Sequence, residues 1–168
     1  MEMKLKILKI FSISAIVALC MVGGLLPLQS VKAASLLENR EEMTEEETSA
    51  DYSEDTNTPR TRSNYLNFGN IRIKKASANE CIIYGTTEAY NYFDMLYLNL
   101  TLEQKSDGVY STYKTWSYTA PNAASLSKEI NVLVPKNHYY RLKGYHAAKE
   151  GTVKESTTTQ TQGVWIGD

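Results

Sequence analysis

Residues 95–105 alternate without a break: Leu96, Leu98, Leu100 and Leu102 fall on one parity, and Tyr97, Asn99, Thr101 and Glu103 on the other. A period of two puts the leucines on one face of an extended strand, whereas a helix needs apolar residues three and four apart. A half-apolar strand cannot stand alone. Its backbone groups need neighbouring strands, and its leucines need a covering layer. This stretch therefore points to a sheet protein, and the rest of residues 63–168 fits that demand.

Ser106-Asp107-Gly108 follows at once, and Asp-Gly between strands predicts a tight hairpin. The returning partner, 109–119, carries Tyr110, Tyr113, Trp116 and Tyr118; Lys114 shares the parity of Trp116, which predicts a bulge or an edge position. Strand patterns recur at 70–75 (Ile71 and Ile73 inward), 81–87, 126–134, 139–147 and 153–161, with a short 164–166 to finish. Ala120-Pro121-Asn122, Pro135-Lys136-Asn137 and Lys149-Glu150-Gly151 read as turns. With no helical crossover between strands, the expected fold is all-β: an antiparallel sandwich of about seven strands, burying one core between two sheets.

The N-terminus has a different character. Lys4, Lys6 and Lys9 precede an apolar run over 10–28, and Val31 and Ala33 are the small residues that a signal peptidase accepts. Residues 1–33 are expected to be a secretory signal, cut between Ala33 and Ala34. Gly23-Gly24 and Pro27 interrupt the run and weigh against a retained membrane helix. Cys20 leaves with the signal, so Cys81 is the sole thiol of the mature chain and no internal disulfide can form. Within a strand pattern, Cys81 reads as a small buried apolar residue, since nothing beside it would activate a thiolate. No later segment is apolar enough to span a membrane.

Residues 34–62 hold nine acidic side chains against three basic ones, with little to bury. Such a stretch is expected to be a disordered acidic linker. Arg60-Thr61-Arg62 at its end would suit a trypsin-like protease, which makes Arg60 and Arg62 candidate processing residues and the linker a candidate pro-segment. Its negative charge could also fold back onto the Arg141/Lys143 face and mask it weakly.

Leu133-Val134-Pro135-Lys136-Asn137-His138-Tyr139-Tyr140-Arg141-Leu142 resembles the start of the sixth strand in immunoglobulin-like and fibronectin type III-like sandwiches. There a tyrosine hydroxyl ties the corner to nearby backbone, and either Tyr139 or Tyr140 fills that slot. Asn64–Gly69, Tyr113–Ser117, Tyr139–His146 and Glu155–Thr159 also resemble a family of small secreted proteins of Gram-positive gut bacteria. That resemblance implies export and one β domain. It carries over no activity, cofactor or site residue.

Catalytic chemistry finds little support. His138 and His146 are the domain's two histidines, without metal-binding spacing; Asp94, Glu103 and Glu88 form no evident pair, and no glycine-rich phosphate loop is present. No cofactor or metal is expected. The domain's net charge of +2 is too small for a nucleic-acid footprint. What remains is a surface. With Leu142 and Gly144 inward, Tyr139, Arg141, Lys143 and Tyr145 point outward beside Tyr97, and the hairpin partner adds Tyr113. Tyrosines of this kind either recognise a ligand or simply stabilise the sheet. The expectation is a secreted, non-enzymatic binding module whose partner is a glycan or protein at the cell surface. The alternatives are a secreted effector or toxin-like protein matured by loss of the acidic segment, and a small extracellular hydrolase.

Overall fold

The leucine alternation belongs to a strand far longer than the sequence suggests. The computed structural model describes residues 43–59 and 64–168, all within one compact unit, Leu37–Asp168. The expected signal peptide, its Ala33/Ala34 cut, and the processing residues Arg60 and Arg62 lie outside the described residues. The described chain contains no helix and eight strands: β1 (Glu47–Thr48), β2 (Tyr52–Asn57), β3 (Leu66–Ser77), β4 (Glu80–Ser106), β5 (Val109–Leu133), β6 (His138–Glu150), β7 (Val153–Gln160) and β8 (Gly163–Ile166).

All eight join one sheet in the order β1-β8-β6-β4-β3-β2, with β5 on the other edge of β4 and β7 on β6. β3 pairs with the first half of β4 and β6 with the second, and β5 follows both halves. Between those halves the β4–β5 register slips from Glu88 to Phe93 and the ladder bends. The bend brings the two halves face to face: a Cβ on Gly85 would run into Leu100. Leu96, Leu98, Leu100 and Leu102 are fully buried there with Ile71, Ile73, Ile83 and Leu142.

The core thus lies inside one bent, nearly closed sheet rather than between two separate ones. The turn expected at Ala120-Pro121-Asn122 is instead part of β5, where Pro121 stands opposite Met95 and Asn122 takes a positive φ of 46°. A proline without a donor is tolerated because the far edge of β5 carries no strand among the described residues. Pairing is antiparallel except for β1 on β8. The Asp107-Gly108 hairpin is present, with φ of 53° and 77° and Ser106 opposite Val109.

The acidic stretch requires a correction. Its described residues supply two strands of the sheet: β2 pairs with β3 over six residues and β1 lies along β8. Composition suggested disorder because it could not reveal distant partners. Glu54 accepts from the Asn70 amide at 2.7 Å, and Asp55 from the backbone of Gln160 at 2.8 Å. Ser53 accepts from the Gln162 amide and Asn57 donates to the Thr158 carbonyl, so β2 also closes the sheet toward β7.

Candidate functional site

β6 settles which side chains face outward. Tyr140, Leu142 and Gly144 are buried on the inner parity, and the Tyr140 hydroxyl donates to the Pro135 carbonyl at 2.7 Å. Tyr140, not Tyr139, therefore ties the corner. The opposite parity places Arg141, Lys143 and Tyr145 beside Glu103, Thr101 and Asn99 of β4, their direct partners. β7 extends the face, because Tyr145 opposes Thr158 and Lys149 opposes Lys154.

Tyr97 and Tyr145 come together on this face around Lys154. The Lys154 ammonium sits 4.2 Å from the Tyr97 ring centre and 5.2 Å from that of Tyr145, a cation held between two aromatic rings. From there a shallow groove of about 640 Å³ runs past Asn99, Thr101, Thr115, Lys143 and Gln160 to Asp55. A second hollow of about 500 Å³, lined by Asn57, Lys154 and Ser156, adjoins it through Thr158. Threonine side chains, the Asn99 and Gln160 amides, the Lys143 ammonium, the Asp55 carboxylate and the Tyr145 ring line the groove.

Two of the expected residues lie elsewhere. Tyr139 has the outward parity but is completely buried, with Trp165 of β8 packed on its ring at 5.1 Å and Lys105 5.8 Å from its centre. It is a structural element of the face, not a contact surface. Tyr113 is turned away altogether. The β4–β5 register slips between Leu102 and Glu103, leaving Tyr113 as the extra residue, and its ring packs edge-on against Tyr140 on the core side at 5.9 Å. A bulge re-aims one side chain in this way.

Arg141 and Lys143 share Glu103, at 2.7 Å and 3.0 Å. Burial opposes ionisation of Glu103, but the hydrogen bonds and charges of Arg141 and Lys143 outweigh it and hold its carboxyl below the usual range. Arg141 also reaches Glu46 of the acidic stretch at 3.2 Å. The acidic stretch thus touches this face at Arg141, through a turn residue that leads into β1 rather than through a loose tail.

The model of a family of unknown function, DUF6147, matches residues 39–164. The chain belongs to that family. The match begins within the acidic stretch, in keeping with a DUF6147 unit that includes β1 and β2. Comparison with curated proteins and with solved structures gives no match.

Among the candidate hydrolytic residues of this DUF6147 chain, His138 sits edge-on to the Tyr140 ring at 6.4 Å, while His146 and Cys81 are built into the interior. His146 is fully buried; its Nδ1 lies 3.0 Å from Thr87 Oγ1 and its Nε2 2.8 Å from Thr159 Oγ1. Because the Thr87 hydroxyl donates to the Tyr97 carbonyl, Nδ1 is the donor to Thr87 and Nε2 accepts from Thr159. Burial lowers the imidazole pKa to about 4, leaving the ring neutral. Cys81 is buried, and burial pushes its thiol up to about 12, as a structural cysteine requires. Among the described residues no three potential metal ligands gather.

Lys154, Thr158, Gln160 and Asp55 were not legible as site residues. The alternation of 153–161 does place Lys154, Ser156, Thr158 and Gln160 on one face. Nothing local says that this face abuts Tyr145. Asp55 was hidden inside a charge run.

Proposed function

We propose that this chain is an exported, non-enzymatic binding module that takes a glycan along the outer face of β4, β6 and β7. The observation that carries the reading is the convergence of Tyr97, Tyr145 and Lys154 at the head of a groove lined by Asn99, Thr101, Lys143 and Gln160. Sugars present hydroxyls to amides and ammonium groups and C–H faces to aromatic rings, and both kinds of partner are lined up here. Export rests on the leader, residues 1–33, with the mature chain starting at Ala34. An immunoglobulin-like relationship of the fold draws support from the tied corner at Tyr140 and from the facing halves of β4.

The test is a glycan array and a cell-wall pull-down with the full mature chain, followed by titration of whatever oligosaccharide is retained. Tyr145→Ala and Lys154→Ala are each expected to weaken binding about tenfold or more, with a thermal midpoint close to that of wild type. Unchanged binding in both variants would end the reading. So would retention of no saccharide at all.

A further inference from the structure

Beyond Lys143 the same outer face carries a second constellation, built around the carboxylate of Glu47. That side chain is completely buried. One oxygen accepts from the Lys105 ammonium at 3.1 Å and the Tyr110 hydroxyl at 2.8 Å. The other accepts from the amide and hydroxyl of Thr44 at 2.7 and 2.8 Å. The Arg141 guanidinium lies 3.9 Å from the Tyr110 ring centre and reaches Glu46.

The two sides of this contact are unequal. Lys105, Tyr110 and Arg141 belong to β4, β5 and β6, the longest strands of the sheet. Glu47 arrives on β1, a strand of two residues held to β8 by two paired positions, and Glu46 on the turn just before it. The approach is shaped for them: a Cβ on Gly163 would collide with the Tyr110 hydroxyl and crowd Glu47. Losing Glu46 and Glu47 would strip this cluster of Lys105, Arg141 and Lys143 of two counter-charges on a partly water-excluded surface. A planar guanidinium, an ammonium and a phenol together match a carboxylate. The cluster is continuous with the groove, because Glu103 bridges Arg141 and Lys143.

We propose that Lys105, Tyr110 and Arg141 form a carboxylate-binding site, filled in the intact chain by the acidic N-terminal segment and open to the carboxylate of a uronic-acid residue when β1 is displaced. The ligand class rests on the glycan reading of the neighbouring groove; the site itself does not. Glu47 is then an internal competitor, so that only a ligand gripped along the groove as well can displace it.

The test uses the full mature chain carrying Glu47→Ala and thermal unfolding in glucuronate, glucose and chloride, with the salts at equal ionic strength. Glucuronate at several times its Kd is expected to raise the midpoint of this variant by about 3 °C. Glucose and chloride should leave it in place, wild type should barely respond, and adding Lys105→Met should abolish the effect. Equal action of chloride and glucuronate, or an equal response in wild type, overturns the proposal. If Glu47→Ala does not fold, Glu46→Gln loosens Arg141 from a largely exposed partner. That variant should then bind an oligogalacturonate at least about threefold more tightly than wild type, and no gain overturns the proposal. A glucuronate response that survives Tyr145→Ala keeps this site even if neutral-glycan binding, and with it the groove reading, fails.

Discussion

His146 occupies an interior position on β6 between Gly144 and Ala148, and three neighbouring strands make room for it. A Cβ on Gly69 of β3 would collide with its ring, and one on Gly144 would collide with Thr159 and crowd the ring as well. Thr87 and Thr159 supply its two hydrogen bonds. Position 146 shares the parity of the inward Leu142 and Gly144, and its burial follows from that register. Its harmlessness was not legible in the sequence, because the niche comes from β3, β4 and β7. Its pKa falls from 6.5 to about 4 on folding. The unfolded chain therefore binds the proton more readily, and stability is lost as pH drops from 6.5 through 4, by about 3 kcal/mol in all. Urea unfolding across that window should show the decline, and His146→Gln should flatten it from a lower starting stability. Gly69→Ala should cost about 1–3 kcal/mol by overpacking against the same ring, measured the same way at pH 7.

At the scale of elements, periodicity located most of β3 to β8, but neither β1 and β2 nor the points where strands end. Residues 81–87 and 95–105 read as two strands, and 109–119 and 126–134 as two more. Each pair is one continuous strand, β4 or β5, folded at the same level. Pro121 and Asn122 read as a turn because those residues usually make one. Here they absorb the bend without releasing the ladder: Pro121 remains opposite Met95, and Asn122 adopts φ 46°. Asparagine tolerates that left-handed backbone and a β-branched residue does not. Asn122→Val is therefore expected to destabilise by about 1–3 kcal/mol, whereas Asn122→Gly should leave stability within about 0.5 kcal/mol of wild type. The register of β6 posed a similar problem. The leucine and proline pointed to Tyr139, and the inward Leu142 pointed to Tyr140. The corner bond from the Tyr140 hydroxyl to Pro135 decides for the second. Tyr140→Phe should lose about 1 kcal/mol while leaving the groove intact.

For the whole molecule, the N-terminal acidic segment decides how the sheet closes. β2 completes one edge on β3 and contacts β7 through side chains, while β1 lies on β8 a few residues earlier in the chain. One short segment thus joins the two ends of the sheet path, which no count of charges could reveal. Glu47 is its firmest point. Burial alone would raise its pKa, but hydrogen bonds from Thr44, Tyr110 and Lys105 prevail and lower it to about 2. For a carboxylate with a depressed folded pKa, the stabilisation is complete above the unfolded value of 4.5 and is lost as pH falls through 2. This window lies mostly below that of His146, overlapping it only between 4 and 4.5, so the two groups can be told apart in one titration. A chain beginning at Ser63 lacks β1 and β2 altogether. It should unfold at a lower temperature than the mature chain at pH 7. The gap between the two should narrow by about 3 kcal/mol as pH falls from 4.5 toward 2, because protonation of Glu47 removes from the longer chain an attachment that the shorter one never had. A gap that stays constant over that range would mean that the segment is held by its β2 ladder alone and that the buried carboxylate contributes nothing to closure.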